Sequence, residues 1–129
     1  MENNLITRRH ALALGGMALL APQSAVAAST KPVLIELFTS QGCSSCPPAD
    51  ELAGELANDP NTVVVSFNVD YWDYLGWRDT LAKPEYSKRQ YDYAKTRGDG
   101  SVYTPQMVFN GVSHAVGSNR REVKQQIAE

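Results

Sequence analysis

The chain has 129 residues, of which 43% are hydrophobic and 20% are charged, a composition typical of one globular domain. Its formal net charge is -2 and no stretch concentrates Lys and Arg, so we do not expect nucleic acid as a partner. With only two cysteines, Cys43 and Cys46, the chain cannot hold a framework of several disulfides.

Residues 1–28 are predicted to be an export signal peptide rather than part of the fold. Two arginines at 8–9 precede an apolar run over 11–21, and a small-residue cleavage pattern follows at 25–27. The arginine pair resembles a twin-arginine signal, and the general secretory route stays open. The apolar run is about half the ~20 residues that a spanning helix needs. We therefore expect a periplasmic or secreted protein whose mature domain, residues 29–129, is not embedded in a membrane.

A buried strand followed by an amphipathic helix is predicted at the start of the mature chain. Residues 33–38 (VLIELF) are a short apolar run rich in β-forming residues, with one acidic residue, Glu36, inside it. After a turn-like stretch and two prolines, apolar residues recur with the period of a helix over 49–57. A second apolar run, over 63–69, is nearly continuous, which suggests a parallel sheet covered on both faces.

Aromatic residues dominate the segment 70–77 (DYWDYLGW) that follows the second strand. We expect its tyrosines and tryptophans to cover a sheet edge and the next helix, and a substrate groove beside the cysteines is the alternative. That helix is predicted from Pro84 to about Arg97, and Gly98 is expected to end it. Three aspartates in this region lack the pattern of a calcium loop, and we expect them to be solvated: Asp70, Asp73 and Asp79.

The chain ends with a predicted hairpin and a helix. Residues 106–109 and 112–116 form two predicted strands joined by Asn110-Gly111, the strongest two-residue hairpin turn. Asn119 can cap the last helix, with Glu122 three residues later as its capping-box partner. The order strand, helix, strand, helix, hairpin, helix (βαβαββα) indicates an α/β fold with a mixed central sheet between helices.

The stretch TSQGCSSCPP holds both cysteines at the predicted junction between the first strand and the first helix. Backbone N–H groups at a helix start are unsatisfied and carry partial positive charge, so a thiolate at Cys43 would be stabilised there. Cys46 follows three residues later, within reach of the first sulfur. The pair therefore provides one attacking thiolate and one resolving thiol, which disulfide exchange requires.

Two other interpretations of the cysteine pair stay open. A structural disulfide across about four residues would contribute only ~2 kcal/mol and would join elements already adjacent in sequence. A structural zinc site needs four ligands, whereas the mature chain offers two cysteines and His114, which we expect to be an ordinary strand side chain. Two thiolates can hold Cu(I), a soft ion. A C-x-x-C motif beside a βαβ pattern favours redox chemistry, with no metal or other cofactor.

Several of these segments together resemble the thioredoxin superfamily, over about residues 33–128: VLIELF, CSSC at a helix start, VVVSFNV and TPQMVFNG. More narrowly, VLIELFTSQGCSSCPPAD with YTPQMVFNG resembles a family of exported thioredoxin-like proteins classified as a domain of unknown function. The resemblance implies a thioredoxin-like fold with a mixed central sheet flanked by helices. Members of that family usually continue into a further β-rich region, so one expectation is a chain that is incomplete at its C-terminus.

The superfamily resemblance also implies roles for individual residues. Cys43 matches the nucleophilic cysteine and Cys46 the resolving one. Thr104 and Pro105 match the threonine and cis-proline that begin the strand facing the active site. In that geometry, the backbone of the residue before the proline binds an extended substrate chain, as in strand addition.

An acidic residue and two serines complete the predicted site. Glu36 matches, with a one-residue difference in the connecting loop, the buried acid that assists proton transfer at the resolving thiol of many thioredoxins. A carboxyl inside an apolar strand would have a raised pKa and could exchange protons near neutral pH. Ser44 and Ser45, between the cysteines, can donate hydrogen bonds to the Cys43 thiolate and so tune the reduction potential.

The sequence therefore predicts an exported thioredoxin-like thiol–disulfide oxidoreductase. Its partners would be protein or small-molecule thiols and disulfides, together with a redox partner protein. Two alternatives use the same residues differently: a periplasmic Cu(I)-binding module on Cys43 and Cys46, and a non-catalytic binding domain on a thioredoxin scaffold.

Overall fold

The computed structural model describes residues 31–129, in which four strands and three α-helices form a mixed α/β fold. The elements in chain order are β1 (Val33–Thr39), α1 (Pro47–Leu56), β2 (Thr62–Asn68), α2 (Pro84–Arg97), β3 (Gln106–Phe109), β4 (Ser113–Val116) and α3 (Arg120–Ala128). A short 3-10 turn, Asp73–Leu75, lies between β2 and α2. The predicted signal peptide, residues 1–28, lies outside the described residues. Within the described range, no helix has both the length and the apolar character needed to cross a membrane.

The strands form one mixed sheet in the order β2-β1-β3-β4. β1 pairs in parallel with β2, from Val33 opposite Thr62 to Thr39 opposite Asn68. β1 pairs antiparallel with β3, and β3 and β4 form the antiparallel hairpin. This sheet with its three helices follows the predicted βαβαββα order and is compatible with a thioredoxin-like arrangement.

Helices α1 and α3 cover one face of the sheet. Alternate residues of a strand point to opposite faces, and Ile35 and Leu37 of β1 point to this one. The amphipathic face predicted for the first helix is confirmed, because the apolar residues of α1 are buried against the sheet: Ala49, Leu52, Ala53 and Leu56. Val123 brings α3 into the same cluster.

Helix α2 lies against the other face. Phe38 of β1 and Val108 of β3 are fully buried there, and Phe67 and Tyr93 pack against them. The rings of Phe38 and Phe67 are stacked with their centroids 5.6 Å apart. The consecutive side chains of β1 thus supply two separate apolar clusters, one for each face.

The prediction that β2 is covered on both faces is wrong. β2 is an edge strand, and Val63 and Val65 are exposed. Helix α2 reaches only the end of the strand, where Phe67 packs on Tyr86. A continuous apolar run is typical of a strand in a parallel pair, but it does not distinguish a central strand from an edge strand.

Local signals place the C-terminal elements well. Asn110 and Gly111 both have positive φ, 50° and 74°, as the predicted Asn-Gly turn requires. Phe109 pairs with Ser113, so the loop has one more residue than predicted and β4 begins at 113 instead of 112. Asn119 caps α3, because its side chain accepts a hydrogen bond from the N–H of Glu122.

Gly117 lies where the hairpin passes over α1, and we expect no larger residue to fit there. A Cβ atom at this position would lie 3.0 Å from the Ala49 Cβ and 3.3 Å from the Leu37 Cδ1. Because the Ala49 Cβ is fixed to the helix backbone, Gly117→Ala should lower the free energy of unfolding by about 1–3 kcal/mol.

Gly54→Ala is the matched control for this prediction. Gly54 lies inside α1, and a Cβ there meets no atom within 4 Å. That substitution should raise the free energy of unfolding by roughly 0.5–1 kcal/mol, because alanine is the better helix former. Urea unfolding of both variants measures the two changes, and equal effects of the two substitutions would contradict the packing assigned to Gly117.

Candidate functional site

Both cysteines lie in the turn between β1 and α1. Cys43 and Cys46 form a disulfide with their Cα atoms 5.4 Å apart. The N–H of Cys43 donates to the Ser40 carbonyl, and the N–H of Cys46 donates to the Cys43 carbonyl. The motif is therefore held by its own backbone at the end of β1, the strand that is paired on both sides.

The helix begins one turn later than the thiolate argument assumed. Cys46 is the N-cap residue of α1, and Cys43 precedes the helix altogether. Pro47 and Pro48 occupy the first two helical positions and have no N–H, while the next two N–H groups donate to the Cys46 carbonyl. The helix start therefore acts on Cys43 through the dipole of α1 rather than through free N–H groups of its first turn.

Accessibility distinguishes the two sulfurs. Cys43 keeps 5% of its surface exposed, whereas Cys46 is at 0%. An attacking thiolate from another molecule can therefore reach Cys43 first. The Ser45 Oγ lies 3.5 Å from the Cys43 Sγ, so the structure brings this serine to the sulfur. Ser44 is exposed, and its side chain makes no hydrogen bond within the described residues.

Trp72 joins the cysteine turn to the segment that contains Thr104 and Pro105. The Trp72 Nε1 donates to the Thr104 Oγ1 at 2.8 Å. A Cβ atom at Gly42 would lie 3.1 Å from the Trp72 Cβ, so Trp72 packs directly against the residue before Cys43. The Thr104–Pro105 peptide bond is cis, as the resemblance implies. The sequence marked Trp72 only as an aromatic residue, because its two neighbours are far away along the chain.

A buried polar network holds the segment that leads to Pro105. Gln90 of α2 donates from Nε2 to the Tyr103 carbonyl and to the Gln106 Oε1, both at 2.8 Å. Gln106 donates from Nε2 to the Ser101 carbonyl at 3.1 Å. Both glutamines are fully buried, so their amides satisfy one another and the backbone. The only signal in the sequence was one glutamine inside the predicted helix 84–97 and another at the start of the predicted strand 106–109.

The expectation that the aspartates are solvated is wrong for Asp79. Its surface is only 2% exposed, and its Oδ2 accepts from the N–H of Gln41 and from Asn68, each at 2.8 Å. Burial opposes ionisation, but hydrogen bonds from the Asn68 side chain and from the backbone N–H groups of Gln41, Leu81 and Ala82 prevail and lower the pKa of Asp79. Asp79 therefore fixes the residue that precedes Gly42 and Cys43.

We predict that Asp79→Ala destabilises the protein and reduces its sensitivity to acid. Because folding lowers the pKa of Asp79, its stabilising effect is present above about pH 4 and is lost as the pH falls through the folded-state pKa. Losing the bonds to a buried carboxylate should cost about 2 kcal/mol at neutral pH. Urea unfolding between pH 2 and pH 7 measures this. An acid dependence as steep in the variant as in the wild type would contradict the assignment.

Glu36 lies on the α2 face of the sheet, opposite to α1. Its Oε1 accepts from Arg89 of α2, whose Nε lies at 3.1 Å and whose Nη2 also donates to it. The Arg89 guanidinium lies over the rings of Phe67 and Tyr93. No hydrogen bond joins Glu36 to either cysteine in the described part of the chain, so its role in proton transfer stays a prediction.

Asp50 is the acidic residue that the sequence did not single out. It lies in the first turn of α1, four residues after Cys46, and residues with this spacing share one helix face. Desolvation raises the pKa of Asp50, and a hydrogen bond from Thr39 partly opposes this increase. The negative charge of Asp79 raises the pKa further. A carboxyl with a raised pKa one helical turn from a resolving thiol suits proton exchange.

His114 belongs to a polar cluster at the outer side of the hairpin. Its Nδ1 lies 2.7 Å from the Tyr103 hydroxyl, and its Nε2 lies 3.3 Å from the Asp99 Oδ2. Arg97 pairs with Asp99 and, together with the Ser101 N–H, lowers the pKa of Asp99 to about 2. Among residues 31–129, no three His, Cys, Asp or Glu side chains come together as a metal site. Cu(I) binding by two thiolates therefore stays a prediction.

Comparisons with known proteins agree with this architecture. The sequence model of a family described as "Protein of unknown function (DUF1223)" matches residues 34–129. The chain is similar to an Agrobacterium tumefaciens protein whose X-ray crystal structure comes from structural genomics, with 44% sequence identity and a TM-score of 0.71. The match covers 77% of this chain and 45% of that protein, so the chain corresponds to less than half of the other's length. No curated protein matches the chain.

Proposed function

The chain belongs to the family described as "Protein of unknown function (DUF1223)", and we propose that it is an exported thioredoxin-like thiol–disulfide oxidoreductase. One observation carries the proposal: the Cys43–Cys46 disulfide lies between a central strand and the start of α1, with Cys43 the accessible sulfur. A disulfide across three residues adds little stability as a link, because it joins neighbouring parts of the chain.

The proposed oxidation of a substrate dithiol has two steps. A substrate thiolate attacks the Cys43 Sγ, which forms a mixed disulfide and releases Cys46 as a thiolate that takes up a proton. The second substrate thiolate then attacks the substrate sulfur that is bound to Cys43, which forms the substrate disulfide and releases the Cys43 thiolate. The substrate loses two electrons, which reduce the protein disulfide, and two protons, of which one goes to Cys46 and the other to solvent because Cys43 leaves as a thiolate. The same steps in reverse reduce a substrate disulfide.

The residues around the cysteines supply the remaining requirements. The dipole of α1 and the Ser45 hydroxyl stabilise the Cys43 thiolate. We assign proton exchange with Cys46 to Asp50, which is on the same helix, rather than to Glu36, which is paired with Arg89. Thr104, next to Pro105, offers backbone groups to an extended substrate chain.

The proposed site of action is outside the cytosol. Residues 1–28 carry the features of an export signal, and disulfides form and persist in the periplasm and in secreted proteins. An enzyme of this kind needs a redox partner protein that restores the Cys43–Cys46 pair after each turnover. Its substrates would be thiols or disulfides of proteins or small molecules.

A turnover assay tests the proposal. The rate of insulin disulfide reduction, with dithiothreitol as the electron donor, is measured for the wild type and for Cys43→Ser. Oxidation of a reduced, unfolded protein by the disulfide form tests the other direction. We expect the wild type to accelerate at least one reaction and Cys43→Ser to give the uncatalysed rate in both. Equal rates for the wild type and the variant in both assays would end the proposal.

A further inference from the structure

An aromatic groove lies beside the cysteine turn, and Trp72 belongs to both. It has a volume of about 330 Å³ and six lining residues: Tyr71, Trp72, Tyr74, Val102, Tyr103 and Thr104. Trp72 lines this groove and also contacts Gly42 and Thr104, so one residue joins the groove to the position before Cys43. The volume is at the lower end of the ~300–1,000 Å³ of ligand pockets and suits a single side chain.

The polar atoms of three rings in the groove already have partners within the protein. The Trp72 Nε1 donates to Thr104, the Tyr71 hydroxyl donates to Gln90 at 3.0 Å, and the Tyr103 hydroxyl pairs with His114. A side chain that enters therefore meets the faces of these rings, and the polar atoms of the three rings are not free to bind it. An anionic group that entered would lose its water without gaining a partner from these three rings.

The lining residues carry no charge at neutral pH. Burial raises the pKa of Tyr71 to about 12, against the hydrogen bond with Gln90, and burial also raises the pKa of Tyr103. Both phenols therefore remain neutral. Neither an anion nor a cation finds a counter-charge among the six residues that line the groove.

The backbone beside the groove distinguishes a polypeptide from a small apolar ligand. Neither the N–H nor the carbonyl of Thr104 makes a hydrogen bond within residues 31–129. These groups can pair with an extended chain, and successive residues of such a chain advance about 3.3 Å. A side chain a few residues from a cysteine bound at Cys43 would then reach the groove.

The loop that supplies the groove also exposes apolar side chains. Tyr74 has 77% of its surface exposed and stacks on Trp72, and Leu75 and Trp77 follow it on the surface. Trp77 is tied back to the cysteine turn by a hydrogen bond from its Nε1 to Gln41. An exposed apolar surface of this kind next to a reactive site indicates contact with another polypeptide.

We propose that the aromatic groove is a specificity pocket that binds a bulky apolar side chain, aromatic or leucine-like, a few residues from the reacting cysteine of a polypeptide substrate. The inference rests on the proposed function. The pocket selects protein substrates in which a cysteine lies near such a side chain, a pattern exposed by unfolded chains.

Peptide kinetics test this inference. Each substrate is a nine-residue peptide dimer, joined through a central cysteine, with Phe, Ala, Asp or Lys at one of the flanking positions. The rate of peptide thiol release by the reduced protein is measured for each. At one flanking position at least, Phe should react about ten-fold faster than Ala, the factor expected from burying one apolar side chain, and Asp no faster than Ala. Equal rates for Phe and Asp at every position would overturn the inference.

Two exposed tyrosines provide the variant and its control. Tyr74→Ala removes one wall of the groove and should reduce the ratio of the Phe and Ala rates to about two-fold or less. Tyr91 lies on α2, has 54% of its surface exposed and is not among the groove residues, so Tyr91→Ala should keep the full ratio. A full ratio in Tyr74→Ala would overturn the inference, as would an equal loss in both variants.

A binding measurement separates the failure of this inference from that of the proposed function. The Cys43→Ser/Cys46→Ser variant is titrated with Phe, Ala and Asp peptides whose cysteine is serine, with Trp fluorescence as the readout. Tighter binding of the Phe peptide supports the pocket even if the wild type exchanges no disulfides, in which case the proposed function alone fails. Disulfide exchange with no preference for Phe in rate or in binding overturns the pocket alone.

Discussion

Cys46→Ser is expected to trap substrates, whereas Cys43→Ser traps none. In the Cys46→Ser variant, the Cys43 thiolate can still attack a substrate disulfide, but no second thiol is present to resolve the product. A covalent complex should therefore accumulate with an equivalent of a disulfide-bonded peptide or protein. Non-reducing gel electrophoresis and intact mass measure the yield, and dithiothreitol should release the complex.

The matched pair of variants assigns the roles of the two sulfurs. The asymmetry follows from accessibility, because Cys43 is the sulfur that reaches the surface and Cys46 is fully buried at the helix N-cap. We expect the trapping yield of Cys43→Ser to be at least ten-fold lower than that of Cys46→Ser. Equal yields would mean that the two sulfurs are equally accessible, and a reversed order would exchange their roles.

Arg89→Leu is expected to be among the most destabilising single substitutions outside the apolar clusters. It leaves the carboxylate of Glu36 buried with no cation, and Glu36 Oε2 already lacks a hydrogen-bond partner within the described residues. Removing one member of a buried ion pair costs about 3–5 kcal/mol. The Arg89 side chain is 45% exposed, so solvent screens part of the ion pair. We therefore expect Arg89→Leu to lower the free energy of unfolding by about 2 kcal/mol. Thermal unfolding should show a decrease of roughly 10 °C in Tm.

Two further variants separate the charge from the packing. Glu36→Leu/Arg89→Leu removes both charges, so it should lose less stability than Arg89→Leu alone. Lys88→Leu removes the cation of an exposed pair with Asp92 on the same helix and should change the free energy of unfolding by less than about 0.5 kcal/mol. If Arg89→Leu is no more destabilising than Lys88→Leu, the buried Glu36 carboxylate does not need Arg89 for stability, which would contradict this prediction.

Kinetics distinguish the two carboxyls proposed for proton exchange. Because Asp50 shares a helix face with Cys46 and Glu36 points to the other side of the sheet, Asp50→Asn should change the pH profile of turnover and Glu36→Gln should not. Turnover rates are measured between pH 5 and pH 9. Dividing each rate by the maximum rate of the same variant removes differences in the amount of folded protein. A shift in Glu36→Gln alone would instead support the role predicted from the sequence.

Local signals in the sequence predicted much of the fold. Pro84 and Gly98 bound α2, and Gly98 adopts the left-handed conformation that ends a helix, with φ 77°. Asn119 caps α3, and Asn110-Gly111 turns the hairpin. In each case the residue acts on its immediate neighbours, so its effect does not depend on how the elements pack.

The features that were missed depend on residues far apart in sequence. Asp79 accepts from Gln41, 38 residues away, and Glu36 pairs with Arg89, 53 residues away. Trp72 becomes part of the site only because the β2–α2 loop folds between Gly42 and Thr104. Composition and periodicity describe single elements, and they carry no information about which side chains meet when the sheet forms.

The reduction potential of the Cys43–Cys46 couple tests the central claim most directly. The protein is equilibrated in glutathione and dithiothreitol buffers of known potential, and the dithiol fraction is measured by thiol alkylation and mass spectrometry. A redox-active pair should interconvert with a potential between about -270 and -120 mV, the range of known exchange enzymes. A disulfide that stays oxidised below about -300 mV would be a structural link and would contradict the proposed function.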